Sequence, residues 1–200
     1  IIKLCGKNNF KIKDVMIIGG SRIGINTAEL LENDFRVTLV EKDKVTCQQM
    51  ANTLKKTLII NIDGHDVKML EEEGLTEIDA LISVTADSEM NIMTSLVGKS
   101  HGIKKTIARI ENFDYINLSQ SIGIDTLINK KIIAADNIFK FVRKGNVSLV
   151  ANLHGTDAEI IEFVVKDGSK ITKSPINKLN FPNSSKIAGV IRNGIPIIPF

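Results

Sequence analysis

The stretch "VMIIGGSRIG", residues 15–24, is an apolar run that breaks at a glycine turn and continues with a helical pattern. In a Rossmann turn of the form G-x-G-x-x-G the first glycine makes the tight turn, the second admits backbone close to a pyrophosphate, and the third lets helix and strand pack closely. Here those places hold Gly19, Ser21 and Gly24. Ser21 departs from the pattern: its Cβ crowds the closest approach to phosphate, while its hydroxyl offers a donor to a phosphate oxygen. A glycine corner also serves any strand-to-helix connection, so the surroundings decide. This turn follows a strand pattern and opens a helix whose first amides favour an anion. Glu41 then ends the next strand pattern, about 20 residues on, where a carboxylate accepts from ribose hydroxyls. A carboxylate there repels a 2′-phosphate, which selects NAD(H) or another adenosine nucleotide over NADP.

Outward from the turn, strand and helix patterns alternate as far as about residue 142, the order that builds a parallel sheet covered on both faces. Strands are expected over 15–18, 37–40, 58–62, 80–84, 106–110 and 126–128, all short and rich in Val, Ile and Leu, as doubly buried parallel strands are. Helices are expected over 24–33, 44–54, 67–73, 88–100 and 132–143. Gly74 and Gly102 follow two of these at the C-terminal cap position, and Asp66 and Asp87 stand at N-cap positions. Beyond "RKGNV" the character changes to strands separated by turns, "VSLVANL", "AEIIEFVV", "KIAGVIR" and "IPIIPF". The expected fold class is α/β: a Rossmann-like doubly wound parallel sheet over residues 13–144, followed by a small α+β C-terminal domain over 145–200. Residues 1–12 read as a linker from a preceding segment, and the missing Met at position 1 reads as a fragment of a longer chain.

Composition narrows the function classes. The chain has 200 residues, 43% hydrophobic and 24% charged, and its 26 basic against 23 acidic side chains leave a net charge of +3. That balance offers no electrostatic footprint for nucleic acid. No apolar run approaches the ~20 residues needed to span a bilayer, and the first residues lack the regions of a signal peptide. A cytoplasmic location is expected. Cys5 and Cys47 have neither metal-site nor disulfide-framework spacing and read as reduced thiols. No metal site is expected.

Polar residues gather where strand patterns end, the edge at which open α/β sheets bind ligands. Asp63 and Gly64 follow the third strand; Thr85, Asp87, Glu89 and Asn91 follow the fourth; Arg109 sits in the fifth. A cation in an apolar strand needs a partner, which a phosphate or a neighbouring carboxylate supplies. His65, His101 and His154 are isolated in sequence and read as surface or loop residues.

In their order along the chain, "VMIIGGSRIG", "VTLVEKD", the "DGHD" turn, "VTADSEMNIM", "TIARIEN", "IGIDTLINKKIIAADNI" and "IAGVIRNGIPIIP" resemble the TrkA family, the cytoplasmic regulatory subunits of Trk potassium uptake systems. The likeness covers nearly the whole chain as one of the two similar halves of such a subunit. It implies a non-enzymatic regulator that binds NAD(H) or ATP/ADP, assembles as a homo-oligomer or ring of similar domains, and gates an integral membrane potassium-transporting subunit from the inner face of the cell membrane. It also implies a nucleotide site made from Gly19, Gly20, Ser21, Arg22, Ile23, Gly24, Glu41, Asp63, Thr85 and Arg109. Ser21 and Ile62 stand where the family usually has glycine. The C-terminal domain stops at "IPIIPF", before the last strand or strands of the family pattern.

The segment "IIAADNIFKFV", residues 132–142, places Ile132, Ala135, Ile138, Phe139 and Val142 on one stripe, broader than a small domain needs for its own packing, and is expected to help pair subunits. The rival reading is an NAD-dependent oxidoreductase with a small catalytic domain. It asks for an acid or base near the nicotinamide. The tail after Gly145 has one His, no Tyr and no clustered His, Lys or carboxylates, so no catalytic residue is expected.

Overall fold

Short apolar strands with helices between them leave one economical packing, a sheet with helices on both faces. The computed structural model describes residues 11–112, 114–115, 122–142, 147–152, 158–182 and 184–198. The chain divides into two compact units, Ile1–Ala135 and Asp136–Phe200. In the first, β1 (Asp14–Ile18), β2 (Arg36–Val40), β3 (Leu58–Ile60), β4 (Ala80–Ser83), β5 (Lys105–Arg109) and β6 (Thr126–Ile128) form one sheet in the order β3-β2-β1-β4-β5-β6. Every pairing within it is parallel. The connecting helices are α1 (Arg22–Leu31), α2 (Lys44–Thr53), α3 (Val67–Glu72) and α4 (Ser88–Ser100), and α5 (Lys130–Val142) follows the last strand. Strand order reverses between β1 and β4, so the connections from these two strands diverge and open a crevice at their carboxyl ends.

Alternation along β1 divides the core between the faces. Val15 and Ile17 join a cluster with Ala28, Leu39, Cys47 and Met50, and Met16 and Ile18 join another with Leu70, Leu75, Leu81 and Ile103. Helix α4 packs by a small and polar face, burying Ser88, Asn91, Thr94, Ser95 and Gly98. A Cβ at Gly98 would stand 2.6 Å from Leu81 Cδ2, so this helix lies as close to the sheet as glycine permits.

The boundaries differ from expectation for local reasons. Helix α1 starts at Arg22, earlier than 24, because Ser21 is its N-cap and accepts from the Gly24 N–H. Strand β3 ends at Ile60 and not at 62, because Asn61 turns its Nδ2 to donate to the Glu41 and Lys42 carbonyls, each at 2.9 Å. Asp66 and Asp87 cap α3 and α4 as expected, and Gly74 and Gly102 have φ of +89° and +80°.

The second unit holds two antiparallel pairs, β7 (Val147–Asn152) with β8 (Glu159–Phe163), and β9 (Val190–Arg192) with β10 (Ile195–Ile197). The β9–β10 turn is Asn193-Gly194, both at positive φ, the dipeptide that suits a two-residue hairpin. Among the described residues, every fully buried apolar side chain lies at or before Ile124. Along α5, Ile138 and Val142 of the expected stripe are exposed, and so is Phe141 outside it. Cys47 is a free, buried thiol. Cys5 and His154 lie outside the described residues, as does most of the 1–12 segment.

Carboxylates tie the loops at the amino end of the sheet. Buried Glu32, just past α1, accepts from the N–H groups of Lys55, Lys56 and Thr57. Asp79 accepts from the N–H groups of Lys13 and Asp14 at 2.7 and 3.2 Å and from Lys104 Nζ at 2.6 Å. The bond from Lys104 leads these in pulling the Asp79 carboxyl from 3.8 down to about 2. A carboxyl depressed by folding adds stability above its unfolded value and loses it as pH falls through the folded one. Denaturation midpoints should therefore fall between pH 3.8 and about 2 in part through Asp79. Asp79→Asn should be less stable at neutral pH and show a shallower acid loss; equal acid slopes for the two proteins would contradict this.

Candidate functional site

The carboxyl ends of β1, β2 and β4, with the turn after β3, enclose a cavity of about 420 Å3. At its centre the chain leaves β1 through Gly19, whose φ of +110° only glycine adopts without strain. The Gly19 N–H donates to the Val40 carbonyl at 2.9 Å, tying the turn to the end of β2. A Cβ at Gly24 would lie 2.0 Å from the Gly19 carbonyl oxygen, so the first turn of α1 rests directly on the turn beneath it.

Ser21 has an ordinary φ of −65°. Its hydroxyl donates to the Val84 carbonyl at 3.2 Å while accepting the Gly24 N–H at 3.4 Å. The single hydroxyl proton is thus held by protein, which corrects the expectation that it is offered to phosphate. The N–H groups of Ser21, Arg22 and Ile23 have no protein partner among the described residues. These unpaired donors and the positive end of the α1 dipole make this place suit an anion.

Glu41 begins the loop after β2. Its Oε2 accepts the Gly20 N–H at 2.6 Å and its Oε1 accepts the Asp43 N–H at 2.8 Å. Two backbone donors fix the carboxylate while leaving lone pairs for hydroxyl donors. A Cβ at Gly20 would stand 2.9 Å from Glu41 Oε2, so the side chain lies across the turn. Behind it, Cys47 Sγ donates to the Glu41 carbonyl at 3.3 Å, and burial pushes this thiol up from its ordinary value.

The far wall is held by Asn91, which is 1% exposed. Its Oδ1 accepts from the Thr85 N–H and hydroxyl at 3.0 and 2.7 Å, and its Nδ2 donates to the Thr85 and Arg109 carbonyls at 3.1 and 2.9 Å. One amide thus joins the ends of β4 and β5. Asp87 caps α4, and the Met90 N–H lowers its carboxyl below the usual range.

Of the residues expected at the site, Gly19, Gly20, Ser21, Glu41, Asp63 and Thr85 line the cavity together. Arg22, Ile23, Gly24 and Arg109 do not. Arg109 is buried, its Nη1 donating to the Thr85 carbonyl at 3.0 Å and its Nη2 pairing with Glu111. Glu111 also takes Lys130 Nζ at 2.9 Å, and Lys130 first, then Arg109, pulls its carboxyl down. The cation's partner is therefore a neighbouring carboxylate. The lining also includes Gly64 and Asp87, expected at the ligand-binding edge, and Lys42, Thr46 and His65, which the sequence reading does not place there. Gly64 and His65 belong to the "DGHD" turn and Lys42 to the "VTLVEKD" stretch, but these stretches assign them no contact, which strand order supplies. Among the described residues no cluster of metal-ligating side chains occurs.

Replacing Asn91 by Ala should leave the Thr85 N–H without its partner and cost about 1–3 kcal/mol. Urea denaturation of the variant measures this, and a midpoint equal to that of the parent would show that the amide does not hold the wall.

The family model of the TrkA-N domain matches residues 15–130. The chain is 36% identical over 189 residues to the Trk system potassium uptake protein TrkA of Haemophilus influenzae, covering 93% of this chain and 41% of that protein. It spans about two fifths of the length of the curated relatives it matches. In fold it is similar to the TrkA-N domain of inner membrane protein ybaL from Escherichia coli, at a TM-score of 0.60 and 12% identity, covering 66% of this chain and 98% of that one. It is likewise similar to the GsuK channel bound to NAD, at a TM-score of 0.56 and 18% identity, covering 68% of this chain and 24% of that one. With the family match covering the whole parallel sheet and its crevice, the chain belongs to the TrkA-N domain family and is a TrkA-like protein.

Proposed function

We propose that this chain is the nucleotide-sensing part of a regulatory subunit of a potassium uptake system, and that NAD(H) or an adenine nucleotide is the signal it reads. The observation that carries this reading is the unpaired amides of Ser21, Arg22 and Ile23 at the start of α1, placed beside a carboxylate fixed on the Gly20 N–H. Ser21 and Glu41 line one cleft, so a donor for a phosphate and an acceptor for a ribose diol stand there together, with the amides of Arg22 and Ile23 next along the helix. In this reading residues 13–144 form the nucleotide-binding domain and 145–200 a small regulatory domain.

Arg22 and Ile23 would serve through backbone amides, which needs no contact from their side chains. Arg109 would act from behind the wall, holding the Thr85 carbonyl. The family membership and the potassium-uptake relative support a regulatory role in place of an enzymatic one. A nucleotide shifts a gate only by binding two conformations with different affinity. Subunit pairing through the exposed apolar residues of α5 would let small closures at the cleft bias a larger assembly. Among the described residues no helix is long and apolar enough to cross a membrane, so the conducting pathway would belong to a membrane partner, with this chain at its cytoplasmic face.

Isothermal titration should show NADH or ADP binding more tightly than NADPH, because Glu41 meets the 2′-position with negative charge. Equal or tighter NADPH binding would contradict the assignment of Glu41. Glu41→Ala should weaken NADH or ADP binding by about 1–3 kcal/mol. If potassium flux through the reconstituted membrane partner ignored every nucleotide that binds, the regulatory reading would fail with the binding site intact.

A further inference from the structure

Two helices start at the cleft and meet again away from it. Helix α3 follows directly on the turn Asp63-Gly64-His65, which lines the cavity, and the Asp66 N–H ties its cap to the Asp63 carbonyl at 3.0 Å. Helix α4 follows the other wall, where Asn91 in its first turn accepts from the Thr85 N–H and hydroxyl. At the far ends His101, the C-cap of α4, brings its Nε2 to 2.7 Å from Oε1 of Glu71 in the last turn of α3. Beneath this contact both helices share one apolar bed, Leu70 and Leu75 packing with Leu81, Val97 and Ile103.

The partners of the His101 ring all accept. Nδ1 lies 2.8 Å from the Val97 carbonyl and 3.3 Å from Ser100 Oγ, whose own proton goes to the Val97 carbonyl at 2.8 Å. Nε2 meets a carboxylate. In either neutral tautomer one ring nitrogen would turn a lone pair on an oxygen, so the imidazolium is the form that satisfies every bond at once. The C-terminal end of α4 favours the same charge. The Val97 carbonyl, and after it Glu71, holds the ring above its ordinary value of 6.5. Among the described residues Glu71 is the charged group that acts on the ring. The nearby lysines are turned elsewhere, Lys99 to Asp125 at 2.7 Å and Lys104 to Asp79 at 2.6 Å. We propose that His101 and Glu71 form a proton-dependent clasp on the two walls of the cleft, which in its charged form holds the turn after β3 and the Thr85 wall at the spacing that receives a nucleotide. A ring favoured in its charged form by folding keeps the clasp closed at lower pH and releases it as pH rises through the folded midpoint. The apolar bed then keeps both helices in place, with looser walls. This inference rests on the reading of the cleft as a nucleotide site.

The test follows the His101 ring by 15N shifts and NADH affinity by titration calorimetry, both on the whole chain; NADH suits it because its phosphates do not titrate near neutral pH. In the free chain both ring nitrogens should be protonated below a midpoint above 6.5, and Glu71→Gln should lower that midpoint. From about pH 6 to about pH 8.5, NADH binding should weaken by roughly two- to threefold more in the parent than in His101→Gln, the scale of a partly exposed ion pair. Taking this difference removes what His65 contributes from inside the cleft. Glu71→Gln should lose the same share of the pH response. Linkage requires the converse, that saturating NADH raise the His101 midpoint by about 0.3 to 0.5 pH unit, the same two- to threefold factor. A midpoint at or below 6.5, a pH response equal in the parent and both variants, or a midpoint that NADH leaves unmoved would each overturn the inference while leaving the cleft reading intact. Failure of NADH to bind the folded parent at either pH would overturn the cleft reading and the inference together.

Discussion

The approach of the α1 backbone at Gly24 to the Gly19 carbonyl governs what the carboxyl edge of the sheet can do. With no room for a Cβ at Gly24, the first turn of α1 settles onto the end of β1, and of the three residues with unpaired amides Ser21 lines the crevice. The neighbouring strands then clamp the turn from both sides. Gly19 donates to the end of β2, and the Ser21 hydroxyl donates to Val84 beyond β4. A site held in this way has paid most of its ordering cost in folding, which is what preorganisation means for affinity.

Charge is sorted around that turn. The amides of α1 offer the cleft a place for negative charge, while Glu41, Asp63 and Asp87 line it with carboxylates and Lys42 adds one cation. A polyanion without a ribose would meet more repulsion there than a nucleotide that turns its hydroxyls toward Glu41. Behind the wall two cations share one carboxylate. Glu111 takes both Arg109 and Lys130, and Asn91 satisfies the backbone at the ends of β4 and β5. The wall can therefore stay rigid without adding its cations to the cleft.

The sheet was legible in the sequence because its strands are buried on both faces and read as short apolar runs between helical patterns. Gly19, Glu41 and the aspartate caps were legible because each answers a local backbone or hydrogen-bonding need. Other features depend on three-dimensional neighbours. Asn61 ends β3 early by reaching carbonyls of the loop after β2. His65 joins the site because β3 lies beside β2, and Lys42 and Thr46, which follow β2, because β2 lies beside β1. The Ser21 hydroxyl is taken by Val84, far along the chain, which spacing around the turn does not reveal. Arg109 did signal a need for a partner. Its guanidinium meets Glu111, two residues on and so on the same side of an extended chain.

The central claim is that the unpaired amides of α1 and the carboxylate of Glu41 receive one nucleotide between them. Amide chemical shifts of the whole chain titrated with NADH test it residue by residue. The account predicts saturable changes at Ser21, Arg22 and Ile23 together with Gly20, whose N–H senses Glu41. Changes that leave these amides still, or that gather at the amino end of the sheet around Asp14 and Arg36, would contradict it.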